Sequence, residues 1–306
     1  MIVRLTLAAL LVIPAAMAYP WESTADRWLL GVAIAAVIVL FAWWRGMFVT
    51  TMLARRITLL ARRGKADAPV RSPESATVAL RVSPRESAEL PLALLAGYVD
   101  RYGISFDKVR VTSRDRGAER TTWVGLTLCA ADNVAALAAR STRIPLQDTA
   151  ELAARRLSDH LREIGWDVSV DDAADTLVAG QTKETWRGVA DGQSHLAAYQ
   201  LAVDDQLADT LFAVWATDAD EIWTAVEMTG SRTQPHLAAA CALRTGERPP
   251  SGAPLAGLTP ERGRHGRAVA ALAPESDARL SARPAAVSQA LLTGLRWPAG
   301  AALSRT

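Results

Sequence analysis

One stretch of this chain matches a catalytic spacing by letter: Ser105-Phe106-Asp107-Lys108. On a helix, S-x-x-K sets a lysine base one turn from a serine nucleophile, where it can take the hydroxyl proton. The companion motifs S-D-N and K-T-G are absent, and here the four residues enter a predicted strand. G-x-x-x-x-G-K-[ST], H-E-x-x-H, G-x-S-x-G and G-x-G-x-x-G are absent too. His160, His195, His236 and His265 share no metal-ligand spacing. His160 falls on the solvated flank of a predicted helix, and His195 and His236 near strand starts. Asp171, Asp172 and Asp175 read as an acidic loop after a strand, since no glycine-spaced loop of oxygen ligands follows. Cys129 and Cys241 stand far apart in apolar settings and read as buried thiols in a reducing compartment. Arg262, Arg264, His265 and Arg267 are interleaved with Gly263 and Gly266. That cluster reads as a docking surface for an acidic partner, a phosphate seat at a helix N-terminus, or a plain solvated face. No catalytic, cofactor-binding or metal-ligating residue is expected.

The elements that would carry these residues begin with two apolar runs. Residues 5–21 and 28–44 are each 17 residues without a charge. As helices they would reach about 25 Å, the thin end of a bilayer crossing. Pro14 would kink the first, a feature bilayer helices tolerate. Trp21, Trp28, Trp43 and Trp44 flank the runs, where indoles favour the headgroup boundary. Arg45, Arg55, Arg56, Arg62, Arg63 and Lys65 follow before any acid, as on a cytoplasmic flank. The expectation is a transmembrane hairpin over 1–45, a basic stem and linker over 46–75, and a cytoplasmic domain over 76–306. That makes a multi-pass protein of the inner membrane. Arg4 and Ala16-Met17-Ala18 also fit a cleaved signal peptide, but the second run would still hold the domain inside. Small residues in that run, Gly31 and Ala35 among them, would allow close contact with a partner helix.

Charge divides the chain along the same line. Residues 1–65 hold eight Lys and Arg against two acids, whereas the remainder holds 26 against 30. A mildly acidic domain argues against a nucleic-acid partner, which needs a basic footprint.

In that domain, helix and strand patterns alternate. Strands are predicted over 76–82, 109–113, 121–129 and 166–170, with Asp115-Arg116-Gly117 turning the second into the third. A buried helix is expected over 90–102. Residues 149–164 place Ala150, Ala153, Ala154, Leu157, Leu161 and Ile164 on one helical face, with Asp148 and Glu151 as a capping box and Gly165 as the stop. A hairpin is expected about Asp191-Gly192 with Tyr199, Leu201 and Val203 on one face of its second arm. A helix over 207–215 capped by Asp204 or Asp205, and strands over 222–228 and 237–243, should follow. After a Pro/Gly loop, Thr259-Pro260-Glu261 should open another helix. The fold class is α/β, with a mixed, largely antiparallel sheet.

Several stretches are similar to one family. They are Trp43-Trp44-Arg45; Glu184-Thr-Trp-Arg-Gly188; Asp220-Glu-Ile-Trp-Thr-Ala-Val-Glu-Met-Thr-Gly230; Pro235-His-Leu-Ala-Ala-Ala-Cys-Ala-Leu-Arg-Thr245; and Gly257-Leu-Thr-Pro-Glu-Arg-Gly-Arg-His265. Over nearly the whole chain the sequence resembles EccE, a membrane subunit of type VII (ESX) secretion systems. The resemblance implies a non-catalytic structural subunit of the inner-membrane core complex, beside EccB, EccC and EccD, in contact with the lipid bilayer. It implies no cofactor and no catalytic residues, and a cytoplasmic domain somewhat like a glycosyltransferase fold. The alternatives are a membrane-anchored enzyme with such a domain and a membrane adaptor recruiting one soluble partner.

Overall fold

A computed structural model describes residues 2–17, 19–20, 23–41, 43–44, 47–61, 72–86, 89–139, 141, 144–170, 177 and 182–299. The chain divides into two compact units, Met1–Arg63 and Gly64–Thr306.

The first unit holds α1 (Ile2–Met17), α2 (Thr24–Phe41), β1 (Trp43–Trp44), β2 (Met47–Phe48) and α3 (Val49–Ala61). α1 packs on α2 through Ala15 and Ala33, which are buried. An apolar cavity of about 330 Å³ lies along the same seam, lined by Val12, Leu30 and Val37 among others. No helix among the described residues is long and apolar enough to cross a membrane. The expected transmembrane hairpin, with spans 5–21 and 28–44, is therefore overturned, and the reason lies in where the helices stop. α1 has 16 residues, about 24 Å at 1.5 Å per residue. α2 has 18 residues but takes Asp26 and Arg27 into its first turn. Its uncharged part, residues 28–41, reaches only about 21 Å against about 30 Å of hydrocarbon. Trp43 and Trp44, expected to close the second span, instead pair antiparallel with Phe48 and Met47. The stem after them is helical in α3.

The second unit is built on one sheet. Its elements are β3 (Ser75–Pro84), α4 (Leu92–Ala96), β4 (Asp100–Arg101), β5 (Ile104–Arg116), β6 (Glu119–Cys129), a 3-10 turn (Ala131–Asn133), α5 (Val134–Ala138), α6 (Leu146–Glu163) and β7 (Trp166–Val170). There follow β8 (Thr182–Glu184), β9 (Val189–Asp191), β10 (Ser194–Leu201), α7 (Leu207–Trp215), β11 (Glu221–Gly230) and β12 (Pro235–Thr245). β13 (Leu258–Pro260), α8 (His265–Leu272), β14 (Ala285–Ala286) and α9 (Gln289–Gly294) complete it. The strand order is β7-β3-β6-β5-β11-β12-β10-β9-β8, with β4 on β5, β13 on β10 and β14 on β12. Every ladder among the described residues is antiparallel. The α/β class and the predicted hairpins hold.

Four local expectations need correction. α7 has Gln206 at its N-cap with no side-chain cap, and Asp204 Oδ1 accepts instead from Gln206 N–H at 2.9 Å. The helix over 90–102 is only α4, because Tyr102 and Gly103 take left-handed φ of 60° and 69° in the tight β4–β5 turn. α6 starts at Leu146 behind Pro145, with no side-chain cap, so Asp148 lies inside the helix. Thr259-Pro260 opens no helix: both belong to β13, whose register places Tyr199 opposite Pro260. Its proline has no N–H to lose from a ladder that Glu261 N–H continues onto Ala198 O at 3.0 Å.

Both faces of the sheet are covered, because β5 alternates. Val109 and Val111 face one core, roofed by α6 and α7 through Ala153, Leu157, Leu211 and Val214. Trp123, Trp223, Ala225 and Ala240 face the other, roofed by α8 through Val269 and Leu272. The alanines of β10 and β12 on that side let α8 lie close to the strands.

Candidate functional site

The charged residues of β5 converge under the segment that follows α8. Arg110 and Glu227 are register partners on β5 and β11. Their side chains meet at 2.6 Å with 2% and 1% exposure. Arg110 Nη1 also donates to Ala271 O and, at 3.2 Å, to Ser276 O, while Nη2 donates to Ala278 O. Glu227 accepts in addition from Leu280 N–H at 3.1 Å. Lys108 donates to Asp277 O and, at 2.7 Å, to Ala278 O. Two side chains of one strand thus hold residues 271–280 as a strap across the sheet. Beneath it Gly125 leaves the space: a Cβ there would stand 2.9 Å from Pro274 O. Burial, and then the neighbouring Arg110 guanidinium, pull the Lys108 ammonium down to about 7.

The opposite face repeats the device. Arg120 Nη2 donates to Asp115 Oδ2 at 2.6 Å, and Nη1 to Pro298 O at 3.0 Å. Trp297 Nε1 donates to Ser113 Oγ at 2.9 Å. One buried ion pair holds the strap on one face, and another holds the C-terminal residues on the other.

These contacts settle several expectations. Ser105 is exposed, with its backbone N–H on Asn133 Oδ1 at 2.9 Å, whereas the Lys108 amine is sealed under carbonyls. The S-x-x-K letters do not form a nucleophile–base pair. His265 is buried, and its Nδ1 accepts from Ala198 N–H at 3.1 Å; it belongs to the core rather than to a basic face. Arg264 and Arg267 are exposed and Arg262 is half-buried, donating to Ser251 O at 3.0 Å. The first turn of α8 already holds a carboxylate, since Gly266 N–H donates to Glu184 Oε1 at 3.0 Å. That contact removes the phosphate seat. Of the two thiols Cys241 is buried and pushed up by that burial, while Cys129 is only half-buried. His160 meets the Tyr98 hydroxyl at 3.2 Å.

Gly31, Ala35, Trp28 and Arg56 are exposed in the first unit, and Arg55 is half-buried. Trp21, Arg45, Arg62, Arg63, Lys65, Asp171, Asp172 and Asp175 lie outside the described residues. A cavity of about 310 Å³ opens between β3 and α6, lined by Thr77, Gln147, Glu151, Arg155 and Glu275 among others. Its polar groups answer one another: Gln147 donates to Glu151 at 3.0 Å, and Arg155 stands 3.9 Å from the same carboxylate. Among the described residues no three His, Cys, Asp or Glu side chains converge as a metal site would require.

What the second unit offers is therefore a braced sheet with shaped surfaces, in which the buried charges secure structure. Residues 117–201, from the β5–β6 turn to the end of β10, match the family model described as "Putative type VII ESX secretion system translocon, EccE". The ESX-3 secretion system protein EccE3 of Mycolicibacterium smegmatis is 52% identical over 280 residues, covering 92% of this chain and 90% of that protein. The proteins of the same name in two strains of Mycobacterium tuberculosis are 49% and 48% identical over 304 residues, covering 96% of this chain and 91% of each. The chain belongs to the EccE family.

Proposed function

We propose that the chain is a non-catalytic structural subunit of the inner-membrane core complex of a type VII (ESX) protein secretion system. The observation that carries this reading is the identity to ESX-3 secretion system proteins over nearly the full length of both chains. Its neighbours in that complex are subunits of the EccB, EccC and EccD types. The clamped sheet supports a scaffold role, since both of its buried ion pairs spend their hydrogen bonds on the protein's own backbone. The N-terminal unit supports association with a membrane. Leu10, Ile13, Trp28, Val32 and Ile34 are all exposed, more apolar surface than a soluble monomer ordinarily leaves in water. In this reading Trp28, Arg55 and Arg56 meet the headgroup boundary, and Gly31 and Ala35 admit a neighbouring helix.

Purification of the tagged full chain in mild detergent, with measurement of particle mass, tests the proposal. A large particle containing the other subunits is expected, together with loss of secreted proteins when the gene is deleted. A lone monomer or dimer would sink it. Loss of secretion by a stably assembled Ser105→Ala protein would favour the enzymatic alternative.

A further inference from the structure

The exposed charge of the second unit is unevenly spread. Residues 66–306 carry more acids than bases, yet three loops near the β8 end of the sheet gather cations. Arg187 lies on the β8–β9 turn, Arg248 on the β12–β13 loop, and Arg264 and Arg267 at the start of α8; all four are exposed, as is Lys183 on β8. Three contacts bring the loops together. Gly266 N–H donates to Glu184 Oε1 at 3.0 Å, and Arg262 Nη2 to Ser251 O at 3.0 Å. At Gly188 a Cβ would stand 3.4 Å from Pro249 Cγ. The acids that could neutralise the cluster are turned inward. Glu184 is buried against α8, and Glu261 is buried and held by Gln200 and Ser281. Among the described residues of these loops, Glu247 is the one exposed acid.

We propose that this surface docks an acidic segment of a neighbouring protein, an inference that rests on the chain being a subunit of a complex. Charge complementarity names the partner's sign, and the residue types name its class. The cations are mostly arginines, whose planar forks pair carboxylates with two hydrogen bonds each. Half-buried Trp186 stands at the turn beside Arg187, and Trp with Arg is the composition of protein–protein hot spots. A seat on lipid would also need aliphatic side chains to insert, and no Leu, Ile, Val or Phe of these loops is exposed.

The test uses the purified full chain and a fluorescein-labelled decaglutamate peptide, read by anisotropy at low and moderate salt. The wild-type chain should bind in a salt-dependent manner, and Arg187→Glu/Arg264→Glu/Arg267→Glu should weaken binding at least tenfold with an unchanged melting temperature. The control, Arg116→Glu/Arg155→Glu/Arg283→Glu, should bind as the wild type does. Equal weakening in both variants, or in neither, overturns the site. So does binding to phosphatidylglycerol vesicles, but not to the peptide, that is lost in the first variant. Peptide binding by a chain that never copurifies with other secretion subunits would leave the site standing and overturn the subunit reading instead.

Discussion

Glu227 is the carboxylate this fold should tolerate losing least. Glu227→Ala leaves the Arg110 guanidinium buried without a counter-charge, a loss of about 3–5 kcal/mol. Urea denaturation should show it, and Arg110→Met with Glu227→Leu should recover most of the loss, as paired replacement of buried ions often does. A loss under 1 kcal/mol would mean water reaches the pair. Lys108 makes a second prediction, with a sign that runs against habit. Its folded-state amine titrates near 7 rather than near 10.5, so between those values the unfolded chain binds the extra proton. Stability therefore rises from pH 7 to pH 9, by at most about 1.4 kcal/mol per unit. At higher pH the buried Cys241 thiol and the Tyr98 and Tyr199 phenols, all pushed up by burial, work the other way. Lys108→Met should lose the rise; an identical slope in the variant would exclude Lys108 as its source. None of this was legible in the sequence. Lys108, Arg110 and Arg114 alternate with valine and serine in the pattern of a strand with one wet face. Only the strap, arriving some 160 residues later, makes that face dry.

At the scale of elements, the strap and the sheet test each other through Gly125. Gly125→Ala sets a methyl against the Pro274 carbonyl, and overpacking of this kind costs about 1–3 kcal/mol. Hydrogen exchange should quicken along residues 271–280 while α6, on the other face, keeps its protection. Uniform quickening would show that the strap and the sheet open as one body. What was legible here was local. Asp191-Gly192 and Arg116-Gly117 announced their turns, and the apolar stripe of residues 149–164 announced α6, because side-chain periodicity and turn chemistry act over a few residues. Pro260 misled for the same reason: a proline with an acid after it fits a helix start as well as a strand end. Only the pairing with β10 decides. The apolar runs were legible as runs but not as helix lengths, since Trp43 and Trp44 leave α2 to pair with Met47 and Phe48.

For the whole molecule, the two units should part company in a flotation experiment. The full chain should rise with phospholipid vesicles, and residues 64–306 alone should stay at the bottom of the gradient. Flotation of the shorter chain would place lipid contact on the second unit and revise the role of the first. The family likeness lay in texture spread along the chain, legible as a resemblance because no catalytic signature competed with it. The C-terminal clamp has a consequence for the order in which the protein is made. Arg120 and Asp115 leave the ribosome long before Pro298, whose carbonyl one of them requires. The central β5–β11 pairing already spans more than a hundred residues, a topology of high contact order and slow closure. Until residues 297 and 298 emerge, the nascent sheet holds the Asp115–Arg120 pair half-clad and its Trp297 pocket open. A chain ending near residue 280 would thus form a nearly complete sheet without its final fastening. That partly closed species, rather than the finished domain, is the form exposed to chaperones and proteases.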